Sequence, residues 1–296
     1  MTTAKLGLDP ALIADIVDRA LAEDLGAGDP SASAVDVTST ATIPADLQGI
    51  ADVRTRATGV VAGLDVAALV FARAGANVTI VAIDSDRVQP GDVVLTAEGP
   101  VRRLLTVERT MLNLLCHLSG IATLTARWVD AVAGTGARIR DTRKTTPGLR
   151  ALEKYAVRCG GGLNHRMGLW DAALVKDNHV AAAGGVAAAF RAVRESFPGV
   201  TVEVECDTIA QVREAITAGA DLVLLDNMSL ADLRACVELA QEIGPTTLLE
   251  ASGGLTLESA RDVAATGVAY LAVGALTHSA PILDLGMDLR SDPSGT

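Results

Sequence analysis

Two stretches of the chain repeat apolar residues at helical spacing. Asp9-Pro10 reads as an N-cap and a first-turn proline. Leu12, Ile13, Ile16, Val17, Ala20 and Leu21 then mark one face of a helix. From about Thr106 a longer stripe of Val107, Met111, Leu114, Leu115, Leu118, Ile121 and Ala122 predicts a long helix. Arg109, Asn113 and His117 share another face of it, which spacing alone reads as solvated. Gly26–Ser39 is a polar loop. Between the helices the period shortens: Ile50–Val53, Val78–Ile83 and Val93–Thr96 are β-like runs, punctuated by Gly49, Pro90-Gly91-Asp92 and Gly99-Pro100. A helix is predicted over Leu64–Ala74.

From Arg138 the pattern becomes a repeat. Apolar runs end at Ile139, Val175, Val204, Leu225, Leu249 and Val273, each followed at once by polar or glycine residues. Helical patterns such as Ile209–Ala218 and Leu230–Ile243 lie between them. This is the rhythm of βα units. It predicts an α/β fold whose second part is an open, incomplete (β/α) barrel. Barrel chemistry sits on the loops after the carboxyl ends of the strands, and the unusual polar residues fall there.

Hydrophobic residues make up 49% of the 296 but aromatics only 2%, so the core must be Ala, Val, Leu and Ile packed closely. The longest run free of polar residues, Val180–Phe190, is too short to span a bilayer. Asp9, Asp15, Asp18 and Arg19 stand where a signal peptide needs an apolar core. Cys116, Cys159, Cys206 and Cys236 are widely spaced, which predicts free thiols in a reducing cytoplasm.

Net charge is -11, yet Arg138–His179 runs the other way. It holds three of the four lysines (Lys144, Lys154, Lys176) and two of the four histidines, His165 and His179. A cationic pocket on an acidic chain fits a small polyanion rather than nucleic acid. Arg143, Lys144, His165, Arg166 and Lys176 exceed what surface charge requires, although a salt-bridged network with Asp141, Asp171 and Asp177 would absorb some of them. Glu205 and Asp226, single acids at adjacent strand ends, read equally as buried structural acids or as holders of Mg²⁺ and sugar hydroxyls. Ser252-Gly253-Gly254 precedes a helix expected near Leu257, and Gly274-Ala275 follows the last strand. Such turns present backbone N–H groups to a phosphate. Lys176 also occupies the position of a Schiff-base lysine in a barrel aldolase.

The stretch RDTRKTTPGLRALEKYAVRCGGGLNHRMGL, followed by DAALVKDNH, closely resembles the quinolinate phosphoribosyltransferase family. The likeness continues through GVVAGL, VERTMLNLLCHLSGIAT, VEVECDT, LVLLDNM, LEASGG and YLAVGALTHSAP. The loop over 28–37 is longer than the family's turn, and Cys159 and Cys206 replace smaller or β-branched residues. The resemblance implies an N-terminal α/β sandwich domain over residues 1–120, joined by the tail at 280–296, and an open α/β barrel domain over 121–279. It implies a cytoplasmic homodimer with shared active sites, quinolinate and phosphoribosyl diphosphate as substrates, and Mg²⁺ as cofactor. Thr142, Arg143, His165 and Arg166 are then expected to hold the quinolinate carboxylates. Lys144 and Lys176 face phosphoribosyl diphosphate. Glu205 and Asp226 hold ribose hydroxyls and, through water, the metal. Ser252, Gly253, Gly254, Val273, Gly274 and Ala275 cradle the 5′-phosphate. Arg109 reaches the partner subunit's site. The rival expectations are a related phosphoribosyltransferase with another acceptor, a Schiff-base aldolase using Lys176, and a non-catalytic phosphate-binding regulator.

Overall fold

Asp9 opens α1 (Pro10–Leu25) as its N-cap: the carboxylate accepts from the Ala11 N–H at 2.9 Å. Gly26, at φ 68°, closes the helix in the left-handed conformation. The computed structural model describes residues 7–26 and 35–290, and the chain divides into two units. The longer loop expected over 28–37 lies, apart from its last residues, outside the described residues, as does the end of the 280–296 tail.

The first unit comprises Met1–Leu124, Thr146–Gly160 and Ser279–Thr296. After α2 (Val37–Thr42) come β1 (Gln48–Thr55), β2 (Gly59–Val60), α3 (Leu64–Arg73), β3 (Asn77–Ile80), β4 (Arg87–Val88), β5 (Val93–Pro100) and α4 (Val101–Ala131). The polar loop expected to reach Ser39 ends sooner, because Asp36 caps α2 through the Ser39 N–H at 2.9 Å. α4 also begins earlier than expected. It starts at Val101, and Thr106 lies inside it, its hydroxyl donating back to the Arg102 carbonyl at 2.8 Å.

The second unit comprises Thr125–Thr145 and Gly161–His278. It holds β6 (Arg138–Arg140), after which α5 (Arg150–Cys159) counts with the first unit. Then follow β7 (Ala172–Val175), α6 (Asp177–Ala183), α7 (Val186–Ser196), β8 (Thr201–Cys206), α8 (Ile209–Thr217), β9 (Leu222–Asp226), α9 (Leu230–Ile243), β10 (Leu248–Ser252), α10 (Ala260–Ala264), β11 (Tyr270–Ala272) and α11 (Ala275–His278). β12 (Leu285–Arg290) returns to the first unit.

In the first unit β12, β1, β5 and β3 form an antiparallel sheet in that order. Ile13, Val17, Val53, Val70, Phe71 and Leu95 are fully buried in this unit. A boundary near residue 120 misses one excursion, Thr146–Gly160. Its helix α5 buries Leu152 and Ala156 completely. The Glu153 carboxylate takes the Thr146 N–H at 3.0 Å and lies 2.9 Å from His117 Nε2 on α4. Tyr155 donates its hydroxyl to Asp84 at 2.6 Å. His117 is thus a structural partner, while Arg109 and Asn113 are exposed.

The second unit's six strands are all parallel, in the order β6-β11-β10-β9-β8-β7. β6 and β7 end the ladder, so the barrel is open; Leu163 adds a single parallel bridge to Arg140. Side chains alternate along each strand. On β8, Val202, Val204 and Cys206 are buried on one face, leaving Glu203 and Glu205 on the other. On β10, Leu249 and Ala251 alternate with Glu250 and Ser252. The four cysteines are free and buried, and no helix is long and apolar enough to cross a membrane among the described residues.

Candidate active site

The acidic faces of β8, β9 and β10 meet the cationic loops at the carboxyl ends of the strands, around a cavity of about 550 Å³. Thr142, Arg143 and Lys144 enter it after β6, His165 and Arg166 from the loop before β7, and Lys176 just after β7. Glu205, Asp226, Ser252, Gly253 and Gly254, also expected, stand on its wall. Leu174, Leu224, Asn227, Glu250 and Ala272 also line it.

Local bonds explain how these groups are held. Lys144 receives both ends of a clamp: its N–H donates to Thr142 Oγ1 at 3.0 Å, and its carbonyl accepts from Thr277 Oγ1 at 2.8 Å. Lys176 Nζ donates to Glu205 Oε2 at 3.1 Å. Asn227 sits in the left-handed region at φ 54°, donating Nδ2 to Asp226 Oδ2 at 2.7 Å and its N–H to the Ser252 carbonyl at 2.9 Å. That brings the loop after β9 against Gly253, itself at φ 87°.

Two guanidiniums set the electrostatics. Burial, followed by the charge of Arg143, lowers the Arg166 pKa from its ordinary value. Arg143 Nε is buried with no hydrogen-bond partner. Like charges brought together with an orphaned donor are what an anionic ligand would repair.

His165, expected as a carboxylate contact, lines the cavity with partners of its own. Its Nε2 lies 2.6 Å from Glu203 Oε2, and its Nδ1 accepts the Arg166 backbone N–H at 2.7 Å. Both ring nitrogens are therefore engaged within the protein. Two expectations need correction. The phosphate turn at Ser252–Gly254 does not run straight into a helix. Thr256 and Ser259 first bond each other in a turn, so α10 starts at Ala260 rather than near Leu257. Of Val273, Gly274 and Ala275, none lines the cavity. Val273 is buried, its N–H held by the Arg140 carbonyl at 2.9 Å. Gly274 still flanks the site, since a Cβ there would lie 2.9 Å from Lys144 Cδ. Arg109 is exposed on α4 and does not line this cavity.

The family model for the quinolinate phosphoribosyl transferase C-terminal domain matches residues 121–288, and the model for the N-terminal domain matches 36–119. The chain belongs to the quinolinate phosphoribosyl transferase family. A Mycobacterium leprae (strain TN) protein named nicotinate-nucleotide pyrophosphorylase (carboxylating) is 53% identical over 279 residues, covering 93% of this chain and 96% of that one. The solved nicotinate-nucleotide pyrophosphorylase of Francisella tularensis superposes with a TM-score of 0.89 at 35% identity, covering 96% and 98% of the two chains. The Streptococcus pyogenes protein NadC gives 0.88 at 39% identity, with the same coverage.

Within this family member, Glu205 and Asp226 offer hard oxygen donors on neighbouring strands beside the cations, the donor type Mg²⁺ takes. A second cluster, His165, Glu203 and Glu250, brings three ligand atoms within 4.8 Å of one another. It fits Mg²⁺ poorly, because Arg140 already holds Glu250 at 2.6 Å and the ring nitrogen is a softer donor. Glu203, Glu250 and Asn227 were absent from the expected site. The signal for the two glutamates was present: in VEVE and LEAS each stands two residues before an expected site residue, and so on the same face.

Proposed function

We infer that this chain is a carboxylating nicotinate-nucleotide pyrophosphorylase of NAD biosynthesis. It transfers phosphoribosyl from phosphoribosyl diphosphate to quinolinate, releasing nicotinate mononucleotide, diphosphate and CO2. The observation that carries the acceptor is the pair Arg143 and Arg166: adjacent guanidiniums, one with an orphaned buried nitrogen. Two vicinal carboxylates on a pyridine supply the charge and the planar oxygens this pair lacks.

Arg143 and Arg166, with Thr142, hold the carboxylates and so aim the ring nitrogen at ribose C1. Lys144 and Lys176 stabilise the departing diphosphate while C1 gains oxocarbenium character. Glu205 and Asp226 take the ribose hydroxyls and, through water, would hold Mg²⁺, which supplies positive charge at the diphosphate. The N–H groups of the Ser252–Gly254 turn face the 5′-phosphate, with Gly274 alongside. Once the ring nitrogen is quaternised, it stabilises the carbanion left when the 2-carboxylate departs, and a proton replaces it. No covalent enzyme intermediate is required.

The working unit is a homodimer in which Arg109 of one subunit completes the site of the other, and four unpaired cysteines suit a reducing cytoplasm. A Schiff-base role for Lys176 is the weaker reading, because its Nζ is already engaged by Glu205 Oε2 at 3.1 Å. Borohydride should therefore leave the protein's mass unchanged in the presence of an aldose phosphate, whose free aldehyde is what a Schiff-base lysine would capture. The deciding assay measures CO2 and nicotinate mononucleotide from quinolinate with phosphoribosyl diphosphate. Nicotinate, lacking the 2-carboxylate, leaves a buried cation unmatched at about 2–5 kcal/mol, so it should be turned over at least about 30-fold less efficiently. Equal turnover of the two acids would refute this reading.

A further inference from the structure

A second layer of side chains, of which His165 and Glu250 reach the cavity wall, runs into the strands beneath it. Glu203 stands below Glu205 on β8, 2% exposed, and Glu250 below Ser252 on β10, fully buried. His165 lies beside both, with Nε2 2.6 Å from Glu203 Oε2 and 3.6 Å from Glu250 Oε1. Arg140 Nη1 donates to Glu250 Oε2 at 2.6 Å, and its guanidinium covers the Tyr270 ring at 4.8 Å.

The other ring nitrogen fixes the tautomer. A backbone N–H can only donate, so the 2.7 Å contact from Arg166 N makes His165 Nδ1 the acceptor. The ring proton therefore lies on Nε2, directed at Glu203. Asp141 holds the neighbouring peptide, taking the His165 N–H at 2.7 Å and Asn164 Nδ2 at 2.6 Å. The imidazole bridges a buried carboxylate and the backbone of Arg166.

We propose that Glu203 is a positioning residue for substrate binding: through His165 it fixes the backbone of Arg166 and so the aim of that guanidinium. The proposal rests on the reading of Arg166 as a contact for the quinolinate carboxylates. With Glu203 gone, the nearest remaining acceptor for Nε2 is Glu250 Oε1 at 3.6 Å, so the ring must turn toward it or move its proton to Nδ1. A protonated Nδ1 would face the Arg166 N–H donor to donor, and the loop must shift. The layer's charges fit this division of work. Arg140 compensates one carboxylate, and burial raises both acids to about 7, assisted for Glu203 by Glu205 and for Glu250 by Glu203. Arg166 acts in the opposite sense on Glu203. Glu203 keeps an oxygen able to accept from His165 whether or not it carries a proton.

The test uses the full-length enzyme and two substrates. Wild-type turnover of quinolinate comes first; its absence would overturn the functional reading, not this one. Glu203→Leu should raise KM for quinolinate about 10–100-fold, with KM for phosphoribosyl diphosphate changed less than about threefold. Glu203→Gln, whose amide oxygen still accepts from Nε2, should restore most of the quinolinate affinity. In an Arg166→Ala background, Glu203→Leu should add almost nothing, because its effect travels through Arg166. Equal losses for both substrates, full additivity with Arg166→Ala, or failure of glutamine to rescue would overturn the proposal. Nitrogen-15 NMR of histidine-labelled wild-type protein gives a check that needs no variant to fold: His165 Nδ1 must read as the unprotonated nitrogen, and a protonated Nδ1 would sink the idea.

Discussion

Adjacent glycines in the turn after β10 should respond very differently to the same added methyl. At Gly253, φ is 87° and a Cβ would press on the Asn227 amide oxygen, 2.5 Å from its Cγ and 2.9 Å from its backbone nitrogen. The Asn227 side chain can retreat only by giving up its bond to Asp226. Its backbone nitrogen cannot retreat without breaking the bond to the Ser252 carbonyl. A left-handed alanine costs about 1–2 kcal/mol, and losing a hydrogen bond to a carboxylate about 1.5–3. Gly253→Ala should therefore cost roughly 3–4 kcal/mol, seen as a fall in Tm on the order of 10 °C. KM for phosphoribosyl diphosphate should rise at least about tenfold, since Asp226 and the phosphate turn move together. At Gly254, φ is 60° and the nearest atom to a Cβ is 3.9 Å away, so only the backbone cost of about 1 kcal/mol remains. Thermal melts and initial rates on the two variants decide the matter. Similar behaviour of the two, or a wild-type Gly253→Ala, would refute the packing argument.

Three further outcomes are expected. Glu203 and Glu250 are raised from 4.5 to about 7, so the folded chain holds protons that the unfolded chain has shed between those values. Their stabilisation is full below about 4.5 and lost as pH rises through about 7. Replacing both with glutamine should shrink the urea-measured loss of stability from pH 5.5 to 8 by on the order of 3 kcal/mol; an unchanged difference would disprove the assignment. Glu205→Ala and Asp226→Ala should raise the Mg²⁺ and phosphoribosyl diphosphate requirement more than that for quinolinate, costing on the order of 2–4 kcal/mol at the transition state; near-wild-type turnover at low Mg²⁺ would make both acids structural. Arg109→Ala and Lys144→Ala, each nearly inactive alone, should recover roughly a quarter of wild-type activity after subunit exchange, whereas no recovery with mixed dimers confirmed by mass would end the shared-site reading.

The strand edge was legible because chemistry in a βα unit follows the apolar run, and Lys176, Glu205, Asp226 and Ser252 stand at or just past strand ends. Glu203 and Glu250 were harder to see, because an acid within a strand reads as the strand's end until pairing shows both its neighbours buried. The start of α4 was less legible, because the apolar stripe becomes regular only from Val107 while the helix begins at Val101. The excursion Thr146–Gly160 was invisible, because α5's apolar face does not say which unit it packs in. His165 reads as one more cation in the sequence because its partners, Glu203 and the Arg166 N–H, come from a distant strand and from the backbone.

The seam between β1 and β12 carries a consequence for how the chain reaches this state. Thr55 pairs with Leu285 and Ile50 with Arg290, so nearly the whole barrel sequence intervenes before β1 gains its second neighbour. Such remote pairings are slow to close. Until then β1 presents an open edge, a template for association with other chains. The same residues that later bind the seam guard it meanwhile. Asp52 and Arg54 put charge on the waiting strand, and Arg290 and Asp288 meet them when β12 arrives. Removing those charges should tell first in the yield of soluble protein during synthesis, before any loss in the finished enzyme.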